Sequence, residues 1–386
     1  MIAYFWKMLF SQVVGQSELK KKLRDSVTNG RVAHAQMLVG SVGSGSLPLA
    51  LAFAQYLACK HRGETDSCGK CDSCVRYAKL EHPDLQLVFP KNKTAKIDHK
   101  NFSSKDFLPD WRKAVLSNPY LNLNDWLKEL GIDNKQGSIN VDDSREVLQN
   151  LSYKAYEADY RVVLIWLAEH MNTAAANKLL KILEEPPERT VFLLVAESTE
   201  NMLQTILSRV QMHRLGRLSE AEIATALSAE SDELDQIEKF AHLADGDLNL
   251  AKHLIEDQTS ITNSINFFIR WMRACYGVQM DTIQGLCEEF NSLGREQQKA
   301  LLTQSSAILR KVLMYRTLPD MEGKLLKEEL DFVHKFSRFI AVENSAKMLE
   351  ALNDANYHIE RNANARITFT DLSFKLSDQV LSEAMK

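Results

Sequence analysis

The chain has 386 residues, 45% of them hydrophobic and 25% charged, with a formal net charge of −4. That size suits two or three ordinary domains, each large enough to bury a core. A mildly acidic chain has no global attraction for polyanions, which argues against a stand-alone nucleic-acid-binding protein. The longest apolar run, Val162 to Ala168, falls well short of the about 18 residues of a membrane span, so no membrane segment is expected. Met1 to Phe10 is hydrophobic but has no charged leader, long apolar core or small-residue cleavage site; it reads as packing material, and a cytoplasmic location is expected.

In chain order, a helical pattern from Ser17 to about Asn29 leads into the apolar run Ala35 to Val39, a glycine-rich loop and a second helical stretch, Pro48 to Leu57. The order is strand, loop, helix. The loop, Gly40-Ser41-Val42-Gly43-Ser44-Gly45-Ser46-Leu47, has the outline of the phosphate-binding pattern G-x-x-x-x-G-K-[ST]. In that pattern the lysine reaches the β- and γ-phosphates and the hydroxyl holds Mg²⁺. Here those two places are taken by Ser46 and Leu47, so the cradle is kept and its chemistry is missing. Gly43 and Gly45 leave a backbone cradle open to a nucleotide.

Cys59, Cys68, Cys71 and Cys74 follow with the spacing C-x8-C-x2-C-x2-C. Four thiolates make a closed tetrahedral Zn²⁺ site with no open position, which implies a structural rather than a catalytic metal. Cys275 and Cys287 lie far off on apolar helical faces and read as core thiols.

Leu85 to Phe89, Arg161 to Leu167, Val191 to Ala196 and, more weakly, Val210 to Leu215 look like strands buried on both faces. Helical segments between them imply a parallel sheet covered on both sides. Lys91 to about Gly137 interrupts this order with a polar, Lys- and Asn-rich insertion holding Phe102, Phe107 and Trp111. Surface decoration is the plainer expectation for it, partner docking the sharper one. From Ser219 the strand signals stop. Ser219-Glu-Ala-Glu222 is a capping box that opens a small helical region to about Asp257, and amphipathic helices such as Ala300 to Leu318 and Phe332 to Asn353 follow.

The helix Ala174 to Glu185, stopped by Pro186-Pro187, its flanking strands and Leu207-Ser208-Arg209 together resemble the clamp-loader branch of the AAA+ ATPases. The cysteine module after the phosphate-loop helix narrows the resemblance to the bacterial replicative clamp loader. Val13-Val14-Gly15-Gln16, Arg31-Val-Ala-His34-Ala35, Gly246 and Asn362-Ala-Asn364 fit the same family. The resemblance implies three domains: an α/β AAA+ domain over 1–216 with the zinc module at 59–74 and the insertion at 91–137, a helical lid at 217–259, and a helical collar at 260–386.

Aligned on Asn177, the Asp and Glu that end the preceding strand in hydrolysing members correspond to Trp166 and Leu167, while Glu169 is out of register and begins a helix. The lid arginine of active members falls at Asn249. Five functional groups are thus replaced, at Ser46, Leu47, Trp166, Leu167 and Asn249, which implies a subunit that does not hydrolyse ATP.

By the same resemblance, Ser208-Arg209-Val210 corresponds to the family's Ser-Arg-Cys motif, whose arginine acts in trans on ATP bound by a neighbouring subunit. The implied partners are the ATP-hydrolysing gamma/tau motors, a delta subunit, the sliding clamp indirectly or weakly, and primer-template DNA within the complex. Two other readings are an ATP-hydrolysing gamma/tau-like motor with an unconventional loop, and a zinc-dependent nucleic-acid-binding module that contacts DNA through Lys91, Lys93, Lys96, Lys100 and Lys105.

Overall fold

The computed structural model describes residues 7–99, 101–132, 135–153, 156–228, 234–256, 258–317 and 327–384. Contacts divide the chain into two compact units, Met1–Lys252 and His253–Lys386.

The first unit begins with α1 (Ser17–Thr28), β1 (Ala35–Val39), α2 (Ser46–Ala58), α3 (Asp72–Tyr77) and β2 (Leu85–Val88). It continues through α4 (Leu108–Ser117), α5 (Leu123–Glu129), α6 (Val141–Leu151), β3 (Arg161–Trp166), α7 (Thr173–Glu184), β4 (Thr190–Ala196), α8 (Gln204–Leu207) and β5 (Gln211–Arg214). The helices α9 (Glu220–Ser228), α10 (Leu234–Leu243) and α11 (Leu248–Glu256) follow. All five strands run parallel in the order β2-β3-β4-β1-β5.

β1 and β4 are buried along their whole length, as a parallel sheet covered by helices on both faces requires. The edge strands differ from the sequence expectation: Gln211 and Arg214 of β5 are exposed and Leu85 and Gln86 of β2 only half-buried, because an edge has a neighbour on one side alone. Helix α2 is buried from Leu47 to Ala58, which explains why it is apolar all round rather than striped. Met8 and Phe10 pack in the core; Met1 to Trp6 lie outside the described residues.

The insertion is core, not decoration. Phe107, Trp111 and Trp126 are fully buried, Trp111 stacks on Phe89 at a centroid distance of 4.3 Å, and Trp126 meets both edge-on. Trp111 also touches Trp166 at the end of β3, at 4.7 Å. Lys91 is buried in an ion pair with Asp143, and Asp143 further accepts from the Ser104 N–H (2.7 Å) and hydroxyl (2.8 Å). A buried cation whose partner is hydrogen-bonded in this way is a folding element, so Lys91 does not serve as a DNA contact. Lys96 and Lys105 are exposed and Lys93 is half-buried, while Lys100 lies outside the described residues.

The second unit holds α12 (Gln258–Tyr276), α13 (Met280–Ser292), α14 (Arg295–Thr317), α15 (Lys327–Phe339), α16 (Val342–Glu360) and α17 (Ala365–Ala384). Its core includes Trp271, Phe290 and Phe369, with both aromatic partners stacked on Phe369 at 4.5 and 4.7 Å. Cys275 and Cys287 are buried there. The expected single helix from Phe332 to Asn353 is two, divided at Ile340 and Ala341, where Ala341 takes an extended backbone before α16. Leu318 lies outside the described residues. No described helix is long and apolar enough to cross a membrane.

Trp111→Ala removes the ring that joins Phe89, Trp126 and Trp166. We expect a loss of about 3–5 kcal/mol of unfolding free energy by chemical denaturation; a loss below about 1 kcal/mol would place the insertion outside the core.

Candidate functional site

In an open parallel sheet, ligands bind beyond the carboxyl ends of the strands. The glycine loop lies there, between β1 and α2, tied to β4 by the Gly40 N–H, which donates to the Ala196 carbonyl at 3.1 Å. Trp166 ends β3, Leu167 follows it and Glu197 follows β4, so Trp166, Leu167 and Glu197 converge with Ser46 and Leu47 of the loop at one end of the sheet.

The space at this end is filled by the chain itself. The cavity lined by Gly43, Gly45, Leu47, Tyr120, Trp166 and Glu197 measures about 20 Å³, enough for one water molecule and far too little for a triphosphate. Asp247, which caps α11 by accepting the Leu250 N–H at 3.0 Å, approaches Gly43 so closely that a Cβ there would lie 1.8 Å from its Oδ1. Gly43 therefore admits the residue before α11 rather than a phosphate. Tyr120 of the insertion is buried and its hydroxyl accepts the Val14 N–H at 2.8 Å. Gln16 donates to the carbonyls of Ser44 (3.1 Å) and Gly216 (2.7 Å), which joins the loop to the chain after β5.

The charge is also wrong for phosphate. Burial, then Glu169 and Asp247, push the Glu197 carboxyl up to about 7. Glu169 sits in a 3-10 turn, Ala168 to His170, where its carboxylate accepts the Glu197 N–H at 2.7 Å, and burial raises it too. Asn249 is fully buried, accepting from Asn118 (2.5 Å) and donating to Asp125 (2.7 Å). It fastens α11 to the insertion. The roles of Tyr120, Asp247 and Glu197 were not read from sequence, since no local pattern marks which distant side chain enters a loop.

Arg209 stands apart from this filled pocket, after α8 with Ser208. Its Nε donates to Glu184 Oε1 at 2.6 Å, Nη1 donates to the Thr205 carbonyl at 2.7 Å and to Ser208 Oγ at 3.2 Å, and Nη2 completes the ion pair with Glu184. Arg209 and Glu184 are 30% and 47% exposed. A surface pair of this kind contributes about 0–1 kcal/mol, so the guanidinium is held in place but is easily released to a stronger anion. Glu184 ends α7, whose Leu183 carbonyl contacts the His34 ring at 3.0 Å just before β1.

The four cysteine sulfurs lie within 4.8 Å of one another, Cys68 and Cys74 at 3.9 Å. Tetrahedral Zn–S bonds of about 2.3 Å put sulfurs about 3.8 Å apart, so the donor set fits zinc. Cys59 ends α2, and Cys71 and Cys74 flank the start of α3. The Cys68 and Cys71 amides donate to Cys59 and Cys68 sulfurs at 3.3 and 3.4 Å. Burial opposes the Cys68 thiolate, but the Lys70 and Cys71 amides and neighbouring thiols bring it down to about 6, while burial and the other thiols push Cys74 up. Four clustered thiols, two of them buried and two half-buried, cannot all ionise without a compensating cation. Asp66 of the same module accepts the N–H groups of Phe10 and Ser11 at 3.0 and 2.9 Å, tying it to the first residues of the core.

The family model described as DNA polymerase III, delta subunit matches residues 15–219, and the chain belongs to that family, within the clamp-loader AAA+ proteins. DNA polymerase III subunit tau of Bacillus subtilis is 23% identical over 382 residues, covering 93% of this chain and 60% of the relative. DNA polymerase III subunit delta' of Escherichia coli is 29% identical over 210 residues, 54% of this chain and 50% of the relative. The chain spans about half to three fifths of the length of these two relatives, and a quarter of the tau/gamma subunit of Haemophilus influenzae. A solved DNA polymerase III gamma subunit-related protein of Thermotoga maritima shares 17% identity, with 95% of this chain and all of that one covered at a TM-score of 0.38.

Two outcomes are expected. Glu197 holds its proton more tightly folded than unfolded, so its contribution to stability falls as pH rises from about 4.5 to about 7. Glu197→Gln should flatten that decline, read as a denaturation midpoint that gains on wild type at pH 8 relative to pH 5; an equal shift at both pH values would remove the assignment. Chelation should release one zinc per chain and lower thermal stability, with Cys74→Ser showing the same loss; a metal-free chain of unchanged stability counts against the site.

Proposed function

We propose that the chain is the non-hydrolysing, delta-prime-type subunit of a DNA polymerase III clamp loader. The observation that carries this reading is the loop: the space where a nucleotide's phosphates would sit is closed by Asp247, Tyr120 and Trp166 and lined by carboxylates. Relatives named tau or gamma are as similar as those named delta', so kinship alone does not choose between motor and non-motor. The chemistry favours the non-motor, because Ser46 and Asn249 carry no positive charge for phosphate, and Leu47, Trp166 and Leu167 offer no side-chain oxygen to magnesium.

On this reading the subunit works in the cytoplasm beside gamma/tau motors and a delta subunit, loading the sliding clamp on primed DNA with ATP bound by its partners. Residues 217–259 serve as a lid and 260–386 as a collar joined to other subunits. The zinc is structural. Ser208 orients Arg209, and Arg209 exchanges Glu184 for the triphosphate of the neighbouring motor, where a guanidinium stabilises charge on the transferring phosphoryl group.

The test is reconstitution with the partner subunits followed by Arg209→Ala. Assembly on gel filtration should be intact, while turnover at the adjoining site falls by about 10³-fold or more, read as loss of the DNA- and clamp-stimulated ATPase. Arg209→Lys should not restore it, since an ammonium lacks the fork geometry. Unchanged turnover removes the role, and ATP hydrolysis by the isolated chain would revive the motor reading.

A further inference from the structure

The sheet ends at β2, which among the described residues pairs only with β3, Leu85 opposite Val162 and Val88 opposite Ile165. The Val162 N–H donates to the Asp84 carbonyl, and backbone groups of successive strand residues alternate in direction. Asp84, Gln86 and Val88 therefore face β3, and Leu85, Leu87 and Phe89 face outward. The ends of this outward row are satisfied within the chain. The His82 carbonyl accepts the Leu85 N–H, and Ser104 Oγ accepts the Phe89 N–H at 3.2 Å. Between them the Leu85 carbonyl and both backbone groups of Leu87 face a groove of about 380 Å³.

The two walls of the groove belong to opposite faces of the sheet. Leu85 and Leu87 share their core with Trp111 of α4, whereas Val88 shares its core with Val147 and Leu151 of α6. The α4 side presents Lys105, in the turn before α4, and Arg112, whose Nε donates to the Leu80 carbonyl at 2.9 Å and whose Nη1 lies 3.9 Å from Glu81, while the α6 wall presents Glu146 and Asn150. The remaining charges along the groove are committed inside the protein. Asp143 is held by Lys91 and Ser104, and Asp84 accepts the N–H groups of Tyr156, Glu157 and Ala158 at 2.7 to 2.9 Å. Arg161 donates to the Leu151 carbonyl at the end of α6. One wall is thus cationic and the other anionic, with a strand's width of open edge between them.

We propose that the open edge of β2 is a docking site for an extended peptide of alternating charge. It would add a sixth strand by hydrogen bonds to Leu85 and Leu87, with a carboxylate side chain toward Lys105 and Arg112 and a cationic one toward Glu146. Strand addition takes its affinity from the backbone and its selectivity from alternate side chains. A second copy of this chain pairing through its own β2 would bring only Leu85-Gln-Leu-Val88 to the walls, which matches neither charge.

The experiment uses the full chain and, as probe, a capped fluorescent hexapeptide Val-Asp-Lys-Asp-Lys-Val. Saturable binding by anisotropy should coincide with slowed hydrogen exchange at the Leu87 amide. Lys105→Glu should weaken binding about tenfold or more, yet leave the carboxylate-free peptide Val-Thr-Lys-Thr-Lys-Val unaffected; Glu146→Lys should weaken both, since both carry lysines. Circular dichroism checks that these surface variants fold. The proposal is overturned by absence of saturable binding, by binding that leaves Leu87 exchange unchanged, by complete competition from free succinate, or by Leu87 protection that rises with protein concentration without peptide.

Discussion

The contact between Asp247 and Gly43 governs the rest of the first unit. A parallel sheet leaves a concave space beyond its carboxyl ends, and the glycine loop after β1 lines that space with backbone N–H groups. A nucleotide-binding chain leaves the space for its ligand. This one fills it from three directions, with the start of α11 through Asp247, the insertion through Tyr120 and the end of β3 through Trp166. The closure leaves Glu197 buried near Glu169 and Asp247, and burial first, then those two carboxylates, raise its pKa.

Once the pocket is filled, the other substitutions acquire structural uses. Trp166, which on the proposed reading stands in for a magnesium-holding acid, meets Trp111. Asn249, which on the same reading stands in for a phosphate-contacting arginine, bridges Asn118 and Asp125. The same positions that would have held a ligand now hold the insertion and the lid against the sheet. Arg209, by contrast, lies partly exposed and pairs, among the described residues, with Glu184, Thr205 and Ser208.

Much of the fold was legible because fully buried parallel strands are written as short apolar runs: β1, β3 and β4 stand out from their polar flanks. The cysteine spacing likewise brings four sulfurs together. The insertion was misread because its apolar residues are scattered among Lys and Asn, and only their long-range meeting with Phe89 and Trp166 makes them core. Lys91 looked like one of a charged run for the same reason, since its partner Asp143 is 52 residues away. The break between α15 and α16 carries no Pro or Gly at Ile340 and Ala341 to announce it. The replaced catalytic groups were visible as absences, but what replaced them functionally, Asp247 and Tyr120 in the loop, depends on segments far apart in sequence.

The grip of Asn118 and Asp125 on Asn249 has a thermodynamic consequence. In a protein that binds nucleotide between lid and sheet, ligand concentration enters the folding equilibrium, and the population of closed forms follows the energy state of the cell. Here α11 is fastened by amide and carboxylate groups of the chain itself, so on the proposed non-hydrolysing reading its closed form has no ligand term. On that reading its geometry is set once, at folding, and does not follow the surrounding nucleotide pool.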